Sequence, residues 1–348
     1  MVYRIAFPLL LLIAACCGAA SAQSPRPQPA AARPASDKAI TGIKSWGYQL
    51  QKINPAEIAA SPFDLVVIDY SRTGVEAGRF SKAEVAAMQR KPDGQRRLVL
   101  AYLSIGEAES YRYYWDRKWV EPAPFRQSTT PPPISGLTEP VAAPLPKTVL
   151  VPKIMAPSWL GRENENWPGN FHVRYWYEEW QSIIVHDARS YLQRIQDAGF
   201  DGVYLDRVDA YYALGEDRPF ATQGMVDFVV DLATAARKRH PEFLVVAQNA
   251  EELLRNPRYL NVINAIAKED LLFGNPGEGL PNEAEQIGVV IENLMLAQAA
   301  GLPVMVIEYL DAEATVKAAL ETLRGRGFLP YFGPRKLNRL VVPRPEKG

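Results

Sequence analysis

Cysteine is nearly absent from this chain: Cys16 and Cys17 are the two it has, both at the end of an N-terminal apolar run. A form trimmed behind them carries no disulfide and rests on core packing alone. Histidine is as scarce, and His172, His186 and His240 show no ligand spacing to one another or to cysteine, which argues against zinc. Neither sign of charge is in excess, with 39 lysines and arginines against 39 aspartates and glutamates. No global field therefore draws the chain to nucleic acid or to an anionic membrane. Beyond that first run no segment offers the ~18 uncharged apolar residues of a spanning helix, and no integral membrane domain is expected. A Gly-x-Ser-x-Gly elbow is missing, which removes the usual serine-nucleophile signature. Leu50-Gln51-Lys52-Ile53-Asn54, after the first strand-like run, has no glycine for a phosphate loop.

What is present begins with a leader. Met1-Val2-Tyr3-Arg4, the apolar run from Ile5 to Ala15 and Ala20-Ser21-Ala22 match a secretory signal over residues 1–22, with a mature start near Gln23. Ile13-Ala14-Ala15-Cys16 reads alternatively as a lipoprotein box, with a leader of residues 1–15 and a lipid anchor on Cys16. The two readings give a secreted or periplasmic protein, or a membrane-anchored lipoprotein. Residues 23–40 are proline- and alanine-rich, a tether that cannot bury enough apolar area to order itself.

Over residues 41–340 strand-like runs alternate with helix-like ones. The strands read as Ser45 to Leu50, Leu65 to Tyr70, Leu98 to Ser104, Val173 to Trp176, Gly202 to Asp206, Phe243 to Asn249, Val262 to Ala267 and Pro303 to Tyr309. The helical stretches carry their own punctuation. Ser81 and Glu84 make a capping box, Glu178 to Ala198 stops at Gly199, Met225 to Arg239 at Pro241, and Ala284 to Ala300 at Gly301. This alternation predicts an α/β protein, a single (β/α)8 TIM barrel, with an open doubly wound sheet as runner-up. Residues 117–157, proline-rich and without periodicity, read as a loop insertion after strand 3.

In a parallel barrel the carboxyl ends of the strands converge on one mouth, so polar residues there become functional candidates. Those ends carry Gln49, Asp69, Tyr70, Ser104, Glu107, Tyr175, Trp176, Asp206, Asp209, Tyr211, Gln248, Asn249, Glu269, Glu308 and Tyr309. One carboxylate after a strand is commonly a helix cap or the partner of an arginine. So many polar and aromatic ends together suit a carbohydrate, whose hydroxyls need donors and acceptors and whose apolar faces stack on rings. Glycosyl transfer to water also needs paired carboxyls. An all-oxygen divalent-cation site from Asp206, Asp209 and Glu269 stays open. The aromatics Trp159, Trp167, Tyr175, Trp176, Tyr177 and Trp180 read equally as core packing or as a sugar platform, and Trp46 and Tyr48 as barrel interior.

Trp46-Gly47-Tyr48-Gln49-Leu50, Val67-Ile68-Asp69-Tyr70, Ala101-Tyr102-Leu103-Ser104-Ile105-Gly106-Glu107-Ala108-Glu109, Val173-Arg174-Tyr175-Trp176, Gly202-Val203-Tyr204-Leu205-Asp206-Arg207-Val208-Asp209, Ala247-Gln248-Asn249 and Ala267-Lys268-Glu269-Asp270-Leu271 follow in order. This series resembles glycoside hydrolase family 114, the endo-α-1,4-polygalactosaminidase group. It is most similar to the branch of secreted bacterial and archaeal proteins once mislabelled as related to cysteinyl-tRNA synthetase. No His-Ile-Gly-His-like or Lys-Met-Ser-Lys-Ser-like signature supports that label.

The resemblance implies a barrel with a catalytic aspartate after the fifth strand and glutamate after the seventh, at Asp206 and Glu269. It implies Asp206 as nucleophile and Glu269 as general acid/base of a cofactor-free, retaining hydrolase acting on α-1,4-linked galactosamine or N-acetylgalactosamine. Gln49, Asp69, Tyr70, Glu107, Tyr175, Trp176, Asp209, Tyr211, Gln248, Asn249, Glu308 and Tyr309 would bind the sugar. Excess mouth carboxylates would attract an unacetylated, cationic amino sugar. This chain has Arg207 where some members have asparagine. Two further readings remain: hydrolysis of a different α-linked glycan, and a non-catalytic polysaccharide-binding barrel of an exopolysaccharide or biofilm system.

Overall fold

The computed structural model describes residues 40–123 and 149–342, with the backbone alone for residues 214–219. The leader with Cys16, the tether up to residue 39 and residues 124–148 of the proline-rich stretch lie outside them. Eight parallel strands form one sheet in chain order: β1 (Trp46–Gln49), β2 (Leu65–Ile68), β3 (Leu98–Ser104), β4 (Gly202–Asp206), β5 (Leu244–Gln248), β6 (Ala265–Glu269), β7 (Val304–Glu308) and β8 (Leu329–Phe332). Most are continuous apolar runs because both faces are covered, one by helices and the other by the barrel interior. Helices such as Lys82–Met88, started by the Ser81/Glu84 capping box, and Ala284–Ala299 close the outside.

Backbone ladders join each strand to the next from β1 to β8, and β8 packs beside β1 without one. A side chain bridges the gap instead, the Trp46 indole Nε1–H donating to the Leu329 carbonyl at 2.8 Å. Trp46 also packs on Tyr331 at 5.6 Å and Tyr204 at 6.3 Å, and Tyr48 on Tyr204 at 5.0 Å between ring centroids. The lower barrel is thus filled by aromatic rings.

Two expectations about the strands are corrected. Val173–Trp176 is not a barrel strand: Asn170–Val173 pairs antiparallel with Glu107–Glu109 and Leu160–Glu163 in a separate three-stranded sheet. Its β-branched and aromatic residues favour any half-buried strand, so local pattern cannot tell which sheet receives it. The missing strand is Leu329–Phe332, disguised by its proline. Asp206 and Glu269 therefore end the fourth and sixth barrel strands, not the fifth and seventh. The expected single helix from Glu178 to Ala198 is also divided. It runs Glu178–Gln181, continues as a π turn over Ser182–His186, and restarts at Tyr191–Asp197 with the Ser190 hydroxyl accepting from the Gln193 amide. A serine that caps its own downstream turn competes with helix continuation.

Replacing Trp46 with phenylalanine removes the donor to the Leu329 carbonyl in a partly buried seam. The expected cost is about 1–3 kcal/mol of unfolding free energy, read by urea denaturation, and an unchanged midpoint would show that the seam closes without the indole.

Candidate active site

The chemistry gathers on three successive strands. Ala247 is level with Leu205 across the β4–β5 ladder, so Gln248 stands level with Asp206. Gln248 is in turn level with Ala267 on β6, two residues before Glu269. Residues two apart share a face of a strand, so Asp206, Gln248 and Glu269 all point into the mouth. The Gln248 amide nitrogen donates to Asp206 Oδ1 at 3.1 Å and to Glu269 Oε2 at 3.2 Å. Those two oxygens can be no farther apart than the sum of the distances, 6.3 Å. With the two N–H bonds of a planar amide about 120° apart, the gap comes to ~5.5 Å.

Each carboxyl has a second holder on the strand beyond. The Tyr102 hydroxyl on β3 donates to Asp206 Oδ2 at 2.7 Å, and the Tyr309 hydroxyl, just past β7, donates to Glu269 Oε1. The backbone turns abruptly behind these groups. Arg207, Asn249 and Asp270, the residues that follow β4, β5 and β6, all adopt left-handed φ, at 58°, 59° and 53°. Such conformations cost a non-glycine residue on the order of 1 kcal/mol or more each. The strain has local returns: the Arg207 amide folds back on Asp206 Oδ1 at 2.7 Å, and the Asn249 amide bonds the Ala267 carbonyl at 2.8 Å.

Burial sets the proton affinities. It pushes the Asp206 carboxyl up to about 6, against the pull of the Tyr102 hydroxyl and the Arg207 guanidinium. It pushes Glu269 up to about 7, against the Tyr309 hydroxyl and with added repulsion from Asp206 and Asp270. Glu308 is also raised to about 7 by burial, but its Oε1 accepts from the Leu272 amide at 2.7 Å and it braces the loop after β6.

The remaining predicted residues are at the mouth but face protein partners. Gln49 donates to the carbonyls of Gln51 and Lys52 at 2.9 and 3.2 Å. Asp69 is held by the guanidinium of Arg112, at 2.8 Å to Oδ2, and that buried arginine also bonds Glu109 at 2.6 Å. The Tyr70, Tyr175 and Tyr211 hydroxyls donate to Glu76, the Ala221 carbonyl and Glu252. Asn249 accepts from the Glu269 amide and Lys268. Trp176 is half-buried against Tyr175 and Phe220.

Glu107 and Asp209 both pair with Arg207, at 3.1 and 3.2 Å, and Asp270 pairs with both ends of the Arg335 guanidinium. The excess of mouth carboxylates is therefore largely matched by arginines. The aromatic segment divides as well: Trp159, Tyr175 and Trp180 are buried, whereas Trp167 is 58% exposed. Tyr102 was missed; its signal was its place two residues before Ser104, on the inward face of β3. Arg335 and Arg112 carried no local signal. Among the described residues no three metal-ligating side chains converge, and no helix is long and apolar enough to cross a membrane.

A carboxyl raised from 4.5 to about 7 binds its proton more tightly folded than unfolded, so the native state loses stability as pH climbs from near 4 through 7. Glu269→Gln removes that loss. At pH 8 its unfolding free energy should exceed that of the wild type by on the order of 2 kcal/mol, and the gap should close toward pH 4. Denaturation at both pH values tests this, and equal stability at pH 8 would mean that burial does not burden the carboxyl.

Comparison with known proteins gives the site its context. Residues 151–346 match the model of glycoside-hydrolase family GH114. An uncharacterised protein of Deinococcus radiodurans is 35% identical over 97% of this chain and 98% of its own length. One from Methanocaldococcus jannaschii is 33% identical over 85% of this chain and 77% of its own. The glycoside hydrolase domain of PelA from Pseudomonas aeruginosa superposes with a TM-score of 0.57 at 18% identity, covering 86% of this chain and 99% of that domain, a likeness of fold. A family match over more than half the chain, with relatives this similar along most of it, makes this protein a glycoside hydrolase of family GH114.

Proposed function

We propose that this protein cleaves α-1,4-linked galactosamine or N-acetylgalactosamine polymers with retention of configuration, Asp206 acting as nucleophile and Glu269 as general acid/base. The observation that carries the mechanism is the single Gln248 nitrogen shared by both carboxyls. It supports a gap near the 5–5.5 Å of retaining enzymes, below the about 6.5–9.5 Å that an inverting pair leaves for water. The substrate class rests on the family and on a mouth of polar and aromatic groups.

Glu269, the more easily protonated of the two, gives its proton to the glycosidic oxygen as Asp206 attacks the anomeric carbon. The bond to the leaving chain breaks and a glycosyl ester forms on Asp206. Esterification removes the Asp206 charge, one of the causes that hold Glu269 high. The Glu269 carboxylate left by the first step then takes a proton from a water molecule as that water attacks the anomeric carbon, and the ester bond to Asp206 breaks to free the carboxylate. The leader read in residues 1–22, or the lipoprotein leader of residues 1–15, would put this activity outside the cytoplasm.

The test is release of reducing ends from partly deacetylated α-1,4-galactosaminogalactan. Asp206→Asn and Glu269→Gln should each lower kcat by at least about 10³-fold, and the wild type should show a narrow bell of kcat/KM against pH centred between about 6 and 7. Wild-type protein that binds the polymer without turnover would instead favour a polysaccharide-binding barrel, and turnover on another α-linked glycan alone would move the substrate.

A further inference from the structure

Gln248 is buried, and its amide can sit only one way round. Turned over, its carbonyl oxygen would face two carboxyl groups, whereas in the observed orientation the nitrogen donates to both. Among the described residues its own Oε1 has no protein partner, so no contact at that end dictates the orientation. The same two bonds divide each carboxyl into unlike oxygens. Asp206 Oδ1 accepts from Gln248 and from the Arg207 amide, whereas Oδ2 accepts from Tyr102. Glu269 Oε2 accepts from Gln248, whereas Oε1 accepts from Tyr309.

We propose that Gln248 is a positioning residue which pins Asp206 Oδ1 and Glu269 Oε2, confining nucleophilic attack to Asp206 Oδ2 and the transferable proton to Glu269 Oε1. The inference rests on the catalytic pair proposed above. An oxygen already accepting two N–H bonds is the poorer nucleophile, since its lone pairs are engaged, and Oδ2 is left to react. An oxygen that accepts from an amide N–H keeps that lone pair unprotonated, so the proton of neutral Glu269 resides on Oε1 beside Tyr309. The tyrosine hydroxyl can donate to the ionised form and accept from the protonated one, which lets it follow the proton through both steps. The amide nitrogen can only donate, and so holds the far oxygens fixed while the near ones change partners. Arriving from the strand between β4 and β6, it spaces the pair from the side, level with Asp206.

Gln248→Leu and Gln248→Met keep nearly the same volume and remove both donors. On partly deacetylated α-1,4-galactosaminogalactan each should lower kcat by about 10²–10³-fold while KM moves less than about threefold. A donor to a carboxylate favours its ionised form, so its loss should move the acid limb of kcat/KM to higher pH. Titration of the Asp206 and Glu269 carboxyls by 13C NMR gives a readout that needs no turnover: both should titrate at higher pH in Gln248→Leu than in the wild type. A kcat within about threefold of wild type, or carboxyl titrations that do not move, overturns the positioning role. Turnover retained by Asp206→Asn and Glu269→Gln sinks the catalytic pair itself, so the two failures are told apart.

Discussion

Two carboxyls whose proton affinity burial raises are held apart by one amide on the strand between them, and much of the molecule serves to make that arrangement possible. A shared donor needs three side chains at matched heights on three adjacent strands. The β4–β5 and β5–β6 registers supply this, with Gln248 beside Asp206 and two residues short of the level of Glu269. A slip of one residue in either ladder would turn a member of the set to the outer face.

The rest of the interior provides the dielectric. Trp46, Tyr48, Tyr204 and Tyr331 fill the barrel below the pair, and Tyr102 and Tyr309 flank it. Rings exclude water, which raises both carboxyls, while their hydroxyls supply single, aimed donors that keep the ionised forms within reach. Above the pair the rim works by cancellation: Arg112, Arg207 and Arg335 each face one or two carboxylates, so charge there is local and paired. The left-handed residues after β4, β5 and β6 belong to the same economy of space, bending the chain away at once so that the strand ends stay open.

Much of the fold could be read from residues alone. Leu65-Val66-Val67-Ile68 and Val304-Met305-Val306-Ile307 are apolar on both faces, as only a covered parallel strand is, and Ser81 with Glu84 marks a helix start by local hydrogen bonding. The segment expected as the fourth strand joins another sheet, and the true eighth is not seen in the sequence, because partner choice is not local. Val173 and its neighbours look like any strand, and Pro330 makes a true strand look like a loop. The mouth was legible as a set of strand ends, since Asp206, Gln248, Glu269 and Tyr309 stand where apolar runs stop. Which of those ends face the opening was not: Asp69, Tyr70 and Tyr211 end up bonded to Arg112, Glu76 and Glu252, from segments near in space and unmarked in sequence.

By itself, then, the sequence determined the alternation of strands and helices, the aromatic filling and the carboxyls at strand ends, because periodicity, capping and side-chain chemistry act over a few residues. Tertiary structure alone decided the numbering of the strands, the seam at β8, the arginine partners of the rim and the shared Gln248 nitrogen. These depend on ladder register and on the packing of segments far apart along the chain, which no local pattern encodes.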